Sequence, residues 1–221
     1  MGLLSVTDPY PHTYMGKYAE IQFAVDEQHA LSATVDTGRL HMRSVTKDDL
    51  PSYAALLAEP EVMSKYIDEY GKTTEEIAMG VMDIWVQRWR KNDPYSAFAV
   101  FSRPSNEFLG HVVLEHGETP GQAKLEGIAV KDIRGQGYGT EAAIAVVKEY
   151  SQATVLEKYS LGGKKLNTIT ATALSDNAPS LRILEILGMH EDQNTGGLSR
   201  SFSIGLHELS WTVLIRMPSS P

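Results

Sequence analysis

Glu126-Gly127-Ile128-Ala129-Val130, followed after a short spacer by Arg134-Gly135-Gln136-Gly137-Tyr138-Gly139-Thr140-Glu141-Ala142, is the stretch whose reading decides the fold. An apolar strand pattern over Lys124–Val130 runs into alternating glycines, and Ala143, Val146, Val147 and Tyr150 then mark one side of a helix. Glycines at 135, 137 and 139 lack Cβ, so the backbone can turn tightly and approach a ligand closely. The N–H groups of Gly135, Gln136, Gly137, Tyr138, Gly139 and Thr140 would gather at the positive end of a helix dipole, where a pyrophosphate fits. Thr140 adds a hydroxyl donor; Arg134 either contributes charge or braces the loop. No Gly-Lys-Ser/Thr closes the loop, which excludes a Walker A site. The third glycine comes one residue early for a dinucleotide fingerprint, and the acidic Glu157 sits in a loop-like stretch and not at a strand tip. A plain turn would not require three alternating glycines.

Working outward, the first half reads as antiparallel strands and two helices. Ile21–Val25 and Leu31–Val35 look like short strands around a polar turn, in a start that also holds Pro9 and Pro11. Leu40–Val45 alternates as a strand. Thr46 caps a helix with Leu50, Tyr53, Ala54 and Leu57 on its buried stripe. Thr73 and Glu76 have capping-box spacing ahead of a second helix with Ile77, Val81, Ile84, Trp85 and Arg88 on one side. Strands follow over 96–102 and 108–115. After the glycine-rich loop and its helix come a strand over Leu166–Leu174 and a helix with Ser180, Ile183, Leu184 and Leu187, ended by Gly188. A last strand is expected over roughly Glu208–Arg216. The class is α+β, with an antiparallel first half and a strand–loop–helix–strand–helix second half. Residues 1–39 are read as an N-terminal extension packed on the main domain, 40–221, or on the partner subunit of a homodimer.

Composition narrows the function. The chain has 221 residues, 42% hydrophobic and 22% charged, with no cysteine and a net charge of −8. Missing cysteine removes disulfides, thiolate metal sites and thiol nucleophiles, and no metal site is read. Acidity argues against nucleic-acid binding, which needs surplus Lys and Arg, and suits a cationic substrate, although it also serves solubility. No apolar run approaches about 18 residues, so no membrane span is expected, and the start has no signal-peptide pattern. A cytoplasmic protein is the simplest reading.

The glycine-rich stretch resembles the acetyl-CoA-binding motif of the GNAT N-acetyltransferase superfamily. Asn177-Ala178-Pro179-Ser180-Leu181-Arg182-Ile183-Leu184-Glu185-Ile186-Leu187-Gly188-Met189 resembles the Asn-x-x-Ser…Leu-Glu-Lys-Leu-Gly-Phe segment of its RimJ/RimL-type branch, and Leu40–Tyr66 that branch's opening strand and helix. The resemblance implies the GNAT fold: a mixed central sheet flanked by helices, antiparallel in its N-terminal half and with splayed parallel strands at the acetyl-CoA site. It implies acetyl-CoA as cosubstrate, held by Ile128, Ala129 and Val130 along the pantetheine arm, by residues 134–140 at the pyrophosphate, and by Asn177 and Ser180. A backbone N–H in the strand would stabilise the oxyanion, an effect of about 2.7–4 kcal/mol in systems where one donor was removed.

The implied chemistry is direct attack by a primary amine, with no acyl-enzyme. Ser180 is the candidate acid, because the tyrosine many members use falls on Leu184; helix capping is the alternative role for Ser180 and Asn177. Glu126 is the candidate base, directly or through water, because the glutamate of some relatives falls on Thr172; His111, Glu115 and His116 cluster nearby. Ile186 and Met189 depart from the branch's Lys and Phe, so any phosphate contact of that lysine comes from elsewhere, such as Arg182, or is absent. The branch suggests a protein N-terminal α-amine as acceptor, or a polyamine or aminoglycoside. Asp68, Glu69, Glu75 and Glu76 could line a cleft for a cation, or serve the helix dipole. A non-catalytic acyl-CoA-binding module and an oxidoreductase fragment are the competing classes.

Overall fold

The computed structural model describes residues 11–63, 73–192, 198–209 and 215–216. Strands β1 (His12–Met15), β2 (Glu20–Val25), β3 (Leu31–Asp36) and β4 (Leu40–Ser44) form an antiparallel meander. Helices α1 (Leu50–Leu57), α2 (Pro60–Met63) and α3 (Thr74–Arg90) precede β5 (Ala97–Ser102), β6 (Phe108–His116) and β7 (Gln122–Ala129). Beyond the glycine-rich loop, α4 (Tyr138–Ala145) passes through a π-helical turn at Val146–Tyr150 into α5 (Ser151–Leu156). A small hairpin, β8 (Ser160–Leu161) and β9 (Lys164–Lys165), leads to β10 (Thr168–Leu174) and α6 (Ala178–Leu187). The chain closes with β11 (His190–Glu191), β12 (Ser199–Gly205) and β13 (Ile215–Arg216).

Eleven strands make one sheet in the order β11-β12-β10-β7-β6-β5-β4-β3-β2-β1-β13. All its pairs are antiparallel except β7 with β10, the mixed sheet expected from the sequence. The two N-terminal strands read at 21–25 and 31–35 are therefore part of this sheet, joined to β4 through β3. Their far face covers the α4–α5 helix. Tyr150 packs on Phe23 of β2 at 5.7 Å and on Phe98 of β5 at 4.8 Å. Buried Glu149, in the π-turn, accepts the N–H groups of Tyr18 and Ala19 at 2.8 and 2.7 Å. The helix is enclosed nearly all round: Ala142, Ala143, Ala145–Val147 and Glu149–Val155 are all buried, the polar Glu149, Ser151, Gln152 and Thr154 among them.

Two expectations shift. The strand read at 208–216 is found only at Ile215–Arg216: Glu208 lies in a turn, and 210–214 fall outside the described residues. The strand that pairs with β10 is instead β12, whose pattern Ser-Arg-Ser-Phe-Ser-Ile-Gly has just two apolar residues and so carries a weak alternation signal. On α3 the buried stripe is Ile77, Ala78, Met82, Trp85, Val86 and Trp89, whereas Ile84 is 55% exposed. The Thr73–Glu76 capping box is present, with Glu76 N–H on Thr73 Oγ1 at 3.2 Å and Thr73 N–H on Glu76 Oε2 at 2.7 Å.

Candidate active site

The glycine-rich loop leaves β7 at one end of the sheet and is held open by hydrogen bonds on both flanks. Gly135 and Gly137 have φ of +79° and +82°, a region that side chains rarely adopt, so both glycines are required by the backbone itself. Gly139 lies inside α4, where a Cβ would meet only Ile183 Cδ1 of α6 at 3.5 Å. The first helical bond is from Glu141 N–H to Gly137 O at 3.0 Å. The N–H groups of Tyr138, Gly139 and Thr140 just ahead of it are those a helix start leaves open, whereas Gln136 N–H, expected among them, is taken by Ile133 O at 3.3 Å.

Arg134 braces. Its Nε donates to Ala129 O at 3.1 Å and its Nη2 to Glu59 Oε2 at 2.7 Å; Glu59 Oε1 also accepts Lys131 N–H at 3.2 Å. The opposite flank is tied by Glu141, which accepts from Thr37 Oγ1 at 2.5 Å and from Arg39 N and Nε at 3.1 and 2.6 Å. Burial pushes the Glu141 pKa up, but these donors outweigh it and hold the carboxyl below its ordinary range. Arg39 Nη1 donates to Gln136 O at 3.1 Å, and its guanidinium lies 4.4 Å above the Tyr138 ring.

Next to the loop the sheet opens. Parallel pairing of β7 with β10 ends at Leu125↔Ala171. Yet β7 stays on β6 as far as Ala129↔Gly110, and β10 stays on β12 as far as Leu174↔Ser199. Between the diverging ends lies a gap lined by strand backbone. Val130 N–H donates to Leu109 O on β6 at 3.0 Å, and Ile128 O faces Gly110, where a Cβ would stand 2.0 Å from it. Backbone groups alternate sides along a strand. Gly127 and Ala129 therefore face the gap; Ala129 O is taken by Arg134, so the strand offers the N–H groups of both residues and the carbonyl of Gly127 there.

The other sequence candidates fall in different settings. Asn177 caps α6, its Oδ1 accepting Ser180 N–H at 3.2 Å; Ser180, half-buried, is one turn from Ile183, which packs beside the loop. Leu184 is buried at 5% exposure. Glu126 is exposed and ion-paired with Lys124; it shares a sheet face with Ile128 and His111, while Thr172 stands exposed on β10. Glu115 pairs with Arg88 at 2.6 Å, and His116 with Asp93 at 2.7 Å. His111 is buried, stacked on Tyr53 at 5.2 Å and close to Trp85, and burial pushes its pKa down to about 4. Its Nδ1 has no hydrogen-bond partner, so the ring is neutral at pH 7. Arg182 pairs with Glu185 on the exposed side of α6. Asp68 and Glu69 lie outside the described residues.

Sequence reading missed Gly127, Glu59, Thr37 and Arg39. Gly127 was within reach, because the alternation of strand backbone fixes which residues face a neighbour. Glu59, Thr37 and Arg39 act on the loop from far along the chain, and pairing at such distance leaves no mark in one sequence.

Comparison with known proteins agrees with this geometry. Residues 39–190 match the model of the acetyltransferase (GNAT) domain. The chain belongs to the GNAT acetyltransferase family. It is 26% identical over 158 residues to the uncharacterized N-acetyltransferase YnaD of Bacillus subtilis (strain 168), a span that covers 72% of this chain and 83% of that one. Among solved structures, a GNAT-family acetyltransferase from Bacillus anthracis superposes with a TM-score of 0.62 at 22% identity, over 79% of this chain and 99% of that one. RimL, the ribosomal L7/L12 α-N-protein acetyltransferase solved with coenzyme A, superposes with a TM-score of 0.59 at 13% identity, over 77% and 96%. Among the described residues, no helix is long and apolar enough to cross a membrane.

Proposed function

We propose that the protein transfers the acetyl group of acetyl-CoA to a primary amine by direct attack, and that a protein N-terminal α-amine is the favoured acceptor. The observation that carries this reading is the gap between β7 and β10 opening beside a loop that runs into the start of α4, where a helix leaves its first N–H groups open. The pyrophosphate would lie on residues 134–140, held chiefly by backbone, with Thr140 adding its hydroxyl. The pantetheine arm would run along 127–130, where the N–H groups of Gly127 and Ala129 face it and one of them polarises the thioester carbonyl. Asn177, whose Oδ1 caps α6, keeps its amide NH2 for the pantetheine. Glu126 would take the ammonium proton, directly or through water, and Ser180 would return one to the leaving thiolate. The division into a segment 1–39 and an acetyltransferase domain 40–221 belongs to the same proposal; the family match over residues 39–190 supports its N-terminal boundary alone, and β1–β3 of the segment continue the domain's sheet. A cytoplasmic location fits these substrates.

The acceptor follows from the bases at hand. Glu115 is ion-paired with Arg88, His116 is hydrogen-bonded to Asp93, His111 is buried, and Glu126 has Lys124 beside it. A lysine amine near pKa 10.4 costs about 4.6 kcal/mol to deprotonate at pH 7, whereas an α-amine near 8 costs about 1.4 kcal/mol. A weak base suffices only for the second. RimL acts on the α-amine of a ribosomal protein, in keeping with this choice. The test is thiol release from acetyl-CoA over a panel of N-terminal peptides, polyamines and aminoglycosides. Peptides with a free α-amine should turn over fastest, and N-terminally blocked peptides carrying lysine should not react. Faster release with polyamines or aminoglycosides would move the acceptor to small amines; binding without release on any amine would make the protein an acyl-CoA-binding module.

A further inference from the structure

We infer that Arg39, in the turn between β3 and β4, is the side-chain cation that faces the cofactor's pyrophosphate, the part Arg134 would otherwise play. This rests on the loop at 134–140 being the acetyl-CoA site. Arg134 is anchored to Ala129 O and Glu59, and Arg182 to Glu185 on a side chain 67% exposed, so both guanidiniums are engaged away from the start of α4.

Arg39 is held at the start of α4. Its guanidinium is fixed at three points, all on the segment 136–141: Nε on Glu141 Oε2, Nη1 on Gln136 O, and its face on the Tyr138 ring. The group therefore keeps its place relative to the loop. Its remaining edge, Nη2, stands 3.5 Å from the position a Cβ on Gly137 would occupy, at the residue that caps α4. Half of the side chain remains exposed, so a ligand can reach it. The Glu141 carboxylate is shared among Thr37 Oγ1, Arg39 N–H and Arg39 Nε, which answers its negative charge close to where a phosphate would sit. A planar fork held in this way suits a phosphate oxygen at little further cost in side-chain freedom.

The test is equilibrium binding of CoA, dephospho-CoA and pantetheine to the intact protein and to Arg39→Gln and Glu141→Gln, at low and high salt. Arg39→Gln should bind CoA and dephospho-CoA alike about tenfold more weakly, the order expected for one charge-assisted hydrogen bond. Its salt dependence should be shallower than that of the wild type, and pantetheine binding should not change. Glu141→Gln, which removes a negative charge beside the phosphate, should bind CoA at least as tightly as the wild type. Unchanged CoA affinity in Arg39→Gln overturns the inference. So does a loss confined to CoA, which would put the charge at the 3′-phosphate. An equal loss in both variants with unaltered salt dependence also overturns it, since Arg39 would then be only a brace. Should Arg39→Gln fail to fold, Arg39→Lys, which keeps the charge without the fork, must bind CoA more weakly than the wild type while keeping its salt dependence. A wild type that does not bind CoA removes the underlying reading and this inference together; wild-type binding with an indifferent Arg39→Gln removes this one alone.

Discussion

The phosphate loop and the sheet face on which an amine would lose its proton lie a few residues apart on β7, and they are built by opposite means. In the loop, two glycines at positive φ, three carbonyls and two carboxylates fix the backbone, and the side chains serve mainly to hold it. On the face that carries Glu126 the titratable groups of β6 and β7 are ion-paired or buried, and no backbone feature selects among them. On the proposed reading, donor recognition would be a property of main-chain geometry that tolerates no substitution at its strained points. Acceptor chemistry would rest on exposed side chains that can be exchanged.

The contrast can be broken at four points. Gly137→Asp places a Cβ at φ +82° and a negative charge at the start of α4; acetyl-CoA affinity should fall by at least about a thousandfold, measured by calorimetry, and retained affinity would mean the loop holds no phosphate. His111→Phe probes the other side. The folded protein keeps His111 neutral down to about pH 4, whereas the unfolded chain protonates it near 6.5. Stability from this group is therefore complete above pH 6.5 and is lost as pH falls towards 4, by up to about 3 kcal/mol. The variant should flatten that acid-side loss in melts taken between pH 7 and 4, and should leave turnover at pH 7 nearly intact. Abolished turnover would make His111 the base.

Glu126→Gln should lower kcat with an α-amine peptide about tenfold, the low end for a general base, without changing the KM for acetyl-CoA. Full activity would reduce Glu126 to a partner of Lys124. Glu59→Gln loosens one flank of the loop by weakening its hold on Arg134 and Lys131 N–H, and should raise the KM for acetyl-CoA about fivefold with little change in Tm. No change would show that the brace is redundant.

How much of this was legible in the sequence follows the same divide. The loop, the Asn177 cap and the Gly188 terminator are legible because glycine and capping residues each impose a local backbone, whereas the parallel pair is reached only through the family resemblance. The strand β12 is not legible, since Phe202 and Ile204 are too few to outweigh its serines. At the site, Gly127 could be reached by counting along the strand. Arg39 and Glu59 could not, because their bonds to Glu141 and Arg134 depend on which end of the sheet each turn occupies. The same holds for His111, whose neutrality comes from Tyr53 on α1 and Trp85 on α3, brought over it only by folding.

The central claim, that backbone at 134–140 holds an acyl-CoA, is tested most directly by titrating acetyl-CoA into the intact protein in a calorimeter. The account predicts saturable binding at one site per chain, competed by CoA, with a stabilisation of about 2.7 kcal/mol against unfolding at a hundred times the dissociation constant. Absence of heat and of any thermal shift at millimolar acetyl-CoA would contradict it.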